Sequence, residues 1–125
     1  MALKLFWLAL AGAGGTLSRY GLGLWVQRLH GGPYPWGTWA INGSGCFLFG
    51  FVWSLAEVRG RIQPDTRVLV LAGFTAAFTT FSTYVFETSQ MLKSEQWMGA
   101  LANFAGQNAL GLVLLSLGSK LADLF

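Results

Sequence analysis

The chain has 125 residues, of which 54% are hydrophobic and only 10% charged, with a net charge of +3. Soluble domains carry roughly 25% charged residues, so these few charges cannot cover a water-facing surface, and the fitting solvent is lipid. The basic excess forms no stripe with interleaved aromatics of the kind that reads nucleic acid, and Cys46, the only cysteine, excludes an internal disulfide.

Four apolar stretches follow one another, at roughly 3–26, 36–56, 68–92 and 97–122. Each reaches the length of about 20 residues that a spanning helix needs. The expected fold is therefore an all-α membrane protein with four transmembrane helices in a single domain over residues 1–125. Lys4 followed by the uncharged run 5–18, with Ala11-Gly12-Ala13, also resembles a secretory signal. Three further apolar stretches make it more economically a first membrane helix. Within it Arg19 stands near Thr16 and Ser18. An intramembrane arginine is functional by default, and its alternatives are snorkelling or pairing with Glu87.

The segment "QRLHGGPYP" (27–35), with two glycines and two prolines, predicts a turn. The second stretch carries Asn42 in "GTWAINGSG", one turn after Thr38 and beside Gly43 and Gly45. Asparagine offers two N–H donors and one acceptor. In lipid it either joins two helices or lines a path. The run "EVRGRIQPDTR" (57–67), with Glu57, Arg59, Arg61, Asp65 and Arg67, reads as solvated, and "KSEQ" (93–96) as a tight link.

The third stretch contains "FTTFSTYVFET" (78–88). On an unbroken helix Thr75, Thr79 and Thr83 fall on one line, Phe74, Phe78 and Phe81 on a second, and Thr80, Tyr84 and Glu87 on a third. Hydroxyls on several sides suit a locally broken helix, whose freed backbone groups need partners and are tolerated where they are buried or line a cavity. The fourth stretch carries Asn103 and Gln107 at i, i+4 on one face. Trp7, Trp25, Trp36, Trp53 and Trp97 fall near stretch ends, where an amphipathic ring prefers to sit.

Basic flanking residues number five on the side of the termini (Lys4, Arg59, Arg61, Arg67, Lys120) and two on the other (Arg28, Lys93). The termini are thus expected in the cytoplasm, by a margin small enough to fit insertion in both directions. The many glycines inside the stretches let helix backbones approach closely and point to packing against a second subunit.

Acidic residues are nearly absent from the stretches, with only Glu87 near an end. That speaks against a proton-coupled transporter or a cation route lined by carboxylates. The remaining polar groups are uncharged donors and one arginine, and aromatic rings present a positive edge. Such a lining suits a narrow route for a small anion. Neither nucleophilic nor metal chemistry is supported, since His30 lies alone in a loop.

Over nearly its whole length the chain resembles the small bacterial fluoride channels of the Fluc type. The likeness rests on "GGTLSRY" (14–20), "PWGT" followed by Asn42, and "GFTAAFTTFSTYVFET" (73–88). It implies an antiparallel, dual-topology homodimer of four-helix subunits in the bacterial inner membrane, with a break in the third helix. It also implies two narrow pores giving passive export of fluoride. By this resemblance Asn42 is the pore asparagine and Phe81 the first of two pore phenylalanines, while Tyr84 stands where the second is usually Phe. A structural sodium is implied on the backbone carbonyls of Ala76, where glycine is usual, and Thr79. Arg19 matches an arginine near the pore mouth and Glu87 a carboxylate past the ring pair. Gly111 replaces a common serine, so Asn103 and Gln107 are expected to supply the polar track. With Thr38, Thr80 and Ser82 these complete the expected fluoride pathway: Asn42, Phe81, Tyr84, Thr80, Ser82, Thr38, Asn103, Gln107 and Arg19. These departures leave room for a different subunit as partner.

Two other readings compete. A small multidrug-type exporter would need a carboxylate in its first helix, and none is there. A non-conducting membrane assembly subunit would use the glycines for packing alone.

Overall fold

A computed structural model describes residues 1–125 and is helical throughout. Helix α1 spans Ala2–His30 and α2 Trp36–Trp53, the latter prolonged by a π-helical turn over Ser54–Val58. A third helical run begins with α3 (Pro64–Val68), widens into a π-helical stretch (Leu69–Thr75) and closes as α4 (Ala76–Phe78). Thr79 and Thr80 follow with extended backbone, and α5 (Phe81–Lys93) starts afresh. Helix α6 runs Trp97–Ala122.

Three segments are long and apolar enough to cross a membrane: Trp36–Val58, Pro64–Lys93 and Trp97–Ala122. At 29 residues α1 has the length as well, but Lys4, Arg19, Arg28 and its glycines dilute its apolar character.

Several boundaries differ from expectation. The turn expected at 27–35 is confined to the residues after His30, because α1 continues until Gly31 and Gly32 take positive φ. The loop expected over 57–67 is helical at both ends. Glu57 and Val58 lie in the π-helical turn, and Pro64 opens α3 as a first-turn proline, where its missing N–H costs nothing. The expected hydroxyl line Thr75–Thr79–Thr83 does not continue past Thr79, since the extended residues reset the helical phase.

Register follows from the contacts. Lys4 pairs with Asp65 at 2.6 Å and Arg19 meets the Thr79 carbonyl, so α1 runs parallel to the third helical run. Trp39 bonds Asn103 and Ser119 bonds the Gly50 carbonyl, so α2 and α6 are parallel to each other. Tyr84 reaches Phe104 and Thr88 reaches Asn103, which makes α5 and α6 antiparallel. Close approach is built on small residues. A methyl group at Gly15 would overlap the Phe74 carbonyl and sit 3.1 Å from the Phe78 nitrogen, the backbone-to-backbone contact that drives helix association in lipid.

At the end carrying 59–63, Arg59 bonds Asp123 at 3.0 Å and Arg67 pairs with Glu57 while lying 5.6 Å over the Trp53 ring. Only 22 of 125 residues are buried, and Leu17, Tyr20, Phe81, Phe104 and Leu112 are among the large side chains left exposed. So much open apolar surface on one subunit is made for lipid or another subunit.

Candidate functional site

The centre of the site is the pair of extended residues between α4 and α5. In a continuous helix the Thr80 N–H would bond the Ala76 carbonyl. Here it donates instead to Asn42 Oδ1 at 2.9 Å. The Thr83 N–H, which would reach the Thr79 carbonyl, turns to the Thr80 hydroxyl oxygen at 3.4 Å, so Thr80 caps α5. Two carbonyls, of Ala76 and Thr79, are thereby released from their helical donors. Arg19 Nη1 lies 3.4 Å from the Thr79 carbonyl.

Asn42 meets this backbone twice, because its Nδ2 also donates to the Thr80 carbonyl at 3.2 Å. The same Nδ2 donates to Gln107 Oε1 at 2.9 Å, and Gln107 Nε2 donates to Asn103 Oδ1 at 2.9 Å. Asn103 Nδ2 donates to the Thr88 hydroxyl at 2.9 Å, and that hydroxyl donates to the Tyr84 carbonyl at 2.8 Å. Three helices therefore share one connected row of carboxamides and hydroxyls, satisfied as buried polar groups must be.

A cavity of about 580 Å³ opens beside the row. Its lining includes Asn42, Thr80, Phe81, Tyr84 and Gln107, together with Ala76 and Thr79, and no Asp, Glu, Lys, Arg or His. Phe81 and Tyr84 rings lie 5.8 Å apart, but they sit differently: Tyr84 is 6% exposed and Phe81 77%. Tyr84 donates its hydroxyl to the Phe104 carbonyl at 3.2 Å and accepts from Asn108 Nδ2 at 2.8 Å.

The remaining expected residues lie elsewhere. Thr38 is buried and donates to Glu87 Oε1 at 2.7 Å in a second cavity, of about 460 Å³, at the end of the bundle near residues 33–35 and 94–96. Glu87 Oε2 has no bonded partner. Ser82 is exposed and Asn103 fully buried, and neither lines these two cavities. Arg19 does not pair with Glu87. The α1–α4 packing sets it beside the Thr79 carbonyl, while Glu87 is one α5 turn and more away and taken by Thr38.

Two residues escaped the sequence reading. Asn108 holds the Tyr84 hydroxyl, and Trp39 Nε1 donates to Asn103 Oδ1 at 2.8 Å. The available signal was general: an indole N–H or phenol O–H inside a membrane must find a partner.

Residues 6–119 match the family described as CrcB-like protein, Camphor Resistance (CrcB). Relatives include proteins named fluoride-specific ion channel FluC from Nitrosococcus oceani, Nitratidesulfovibrio vulgaris and Desulforapulum autotrophicum. The first is 55% identical over 121 residues, covering 97% of each chain. The second is 49% identical over 115 residues, covering 92% of this chain and 93% of the relative. The third is 42% identical over 124 residues and 99% of each. On the family match and on identities this high over nearly the full length, the chain belongs to the CrcB family.

Proposed function

We propose that this chain is a subunit of a fluoride-selective channel giving passive export of fluoride from the cytoplasm. The observation that carries the reading is the 580 Å³ cavity at the interruption of the third helical run, where Asn42, Gln107, Asn108, Thr80 and the Phe81 and Tyr84 rings meet a mainly apolar lining with no Asp, Glu, Lys, Arg or His. The full-length relatives named fluoride-specific ion channels support it. A small anion entering hydrocarbon must exchange its water shell for other donors. Gln107 Nε2 has a second N–H beyond the one given to Asn103, and the Asn42 carboxamide is held in place by Thr80. Ring edges of Phe81 and Tyr84 add weak positive charge. Thr80 lines the same cavity and Thr38 the second, Arg19 lies beside the Thr79 carbonyl, and Asn103 backs Gln107; the place of Ser82 on the pathway rests on the family likeness alone.

The subunit is read as four spans in the bacterial inner membrane, α1 being the first, and as one half of an antiparallel dual-topology dimer. Support comes from the exposed Phe81 and the open apolar faces, which a second copy would cover. The carbonyls of Ala76 and Thr79 would hold the structural sodium, whose bound charge would tie two copies together. Their release from helical donors suits an oxygen-preferring cation. Two ligands are too few for such an ion, so the second copy would supply the rest.

The test is fluoride efflux from liposomes holding the purified protein. Rapid fluoride loss with far slower chloride loss is expected. Uptake of an organic cation driven by a pH gradient would favour the exporter, and vesicles tight to fluoride would favour a packing subunit.

A further inference from the structure

Trp39 stands outside both cavities, yet it is tied into the row behind the larger one. Its indole nitrogen is a donor only, so the Asn103 atom 2.8 Å away is the oxygen. The same oxygen accepts from Gln107 Nε2. Gln107 must then present Oε1 to Asn42 Nδ2. At the far end the Thr80 N–H, again a donor only, takes Asn42 Oδ1. The Thr88 hydroxyl spends its proton on the Tyr84 carbonyl and so offers lone pairs to Asn103 Nδ2. Every carboxamide in the row thus has one orientation, enforced from both ends.

The inner pair, Asn42 and Gln107, faces the cavity, and Asn103 lies fully buried behind it. Turning Gln107 over would set its oxygen against Asn103 Oδ1 and its NH2 against that of Asn42. Without the indole, Asn103 is held on that side by the rotatable Thr88 hydroxyl alone, and the oxygen it offers Gln107 Nε2 loses its second donor. Gln107 is then held by Asn42 alone, and the direction in which its N–H groups meet the cavity is no longer set. Room for the ring is reserved by Gly106, where a methyl group would overlap Trp39.

We propose that Trp39 is a positioning residue of the anion route, fixing through Asn103 the carboxamide of Gln107 and hence which N–H groups the cavity presents. This rests on reading the cavity as a fluoride route.

The experiment compares fluoride and chloride efflux in liposomes for the full-length protein, Trp39→Phe, Asn103→Ala and the double variant. Loss of one buried hydrogen bond predicts fluoride efflux lower by about tenfold in Trp39→Phe, with fluoride-to-chloride selectivity reduced. Adding Trp39→Phe to Asn103→Ala should change efflux by less than about twofold, because the two act through one bond. Trp39→His, which keeps a ring N–H, should recover part of the loss. Should Trp39→Phe fold poorly, the benzothienyl analogue at position 39 keeps the ring shape without the N–H and should give the same loss. Unchanged efflux and selectivity in Trp39→Phe or the analogue would overturn the proposal, as would full additivity with Asn103→Ala. A conducting parent protein with those results would leave the route standing. A parent impermeable to fluoride would remove the route and the positioning role together.

Discussion

Asn42 and Thr80 grip each other through two hydrogen bonds, the side-chain oxygen taking the Thr80 N–H at 2.9 Å and the side-chain nitrogen giving to the Thr80 carbonyl at 3.2 Å. A single carboxamide thereby satisfies both backbone groups of a residue that has left the helix. The cost of unsatisfied buried backbone explains why an asparagine, and not a simple hydroxyl, stands at position 42.

Asn42→Asp would put a negative charge into a cavity with no ionised group and withdraw the donor from the Thr80 carbonyl and Gln107. Fluoride efflux from liposomes should stop. Efflux equal to that of the parent would take Asn42 off the path.

Tyr84→Phe removes a hydroxyl that is bonded on both sides, to the Phe104 carbonyl and Asn108. The ring edge remains, so fluoride efflux should persist while thermal stability in detergent drops, by about 1 kcal/mol for the net loss. Tyr84→Leu, which lacks the edge, should lower efflux as well. Equal efflux in both variants would show that the ring does not contact the ion.

Thr38→Val strips the donor from Glu87 Oε1 and leaves both carboxylate oxygens unpartnered. The penalty for the stranded group is about 1–3 kcal/mol, seen as a lower unfolding temperature in detergent. Glu87→Gln in the same chain should restore part of it, since a neutral amide costs less to strand. Additive losses would refute the pairing.

Gly15→Leu drives a side chain into the Phe74–Phe78 backbone and should reduce yield of folded protein sharply, overpacking costing at least about 1–3 kcal/mol. Gly21→Ala meets nothing within 4 Å and should be neutral. Folded yield by size-exclusion chromatography separates the two, and equal yields would contradict the α1 packing.

Helical character and long apolar segments were legible because composition and length act locally: few charges and runs of about 20 apolar residues leave little else in lipid. Pro64 carries a helix-start signal in its first-turn position, but the surrounding charges Arg59, Arg61, Asp65 and Arg67 are equally compatible with a solvated loop, and the local sequence does not choose between them. The i, i+4 spacing of Asn103 and Gln107 placed both on one face, and they bond each other. Which neighbours they meet was beyond reach, since Trp39 and Asn103 are 64 residues apart and touch only through the parallel register of α2 and α6. The Tyr84–Asn108 pair likewise depends on how α5 lies against α6. Ser82, placed on the expected pathway by its neighbours in sequence, is exposed because α5 presents that side outward.

The two extended residues at 79–80 bring the tail of one helical run and the head of α5 within a single step of chain. Aligned peptide dipoles leave about half a negative charge at such a tail and half a positive charge at such a head. The molecule can therefore offer attraction of either sign midway along the apolar segment Pro64–Lys93 using main chain alone. A field of that origin holds no proton to gain or lose, so acidification that neutralises carboxylates elsewhere would leave it intact.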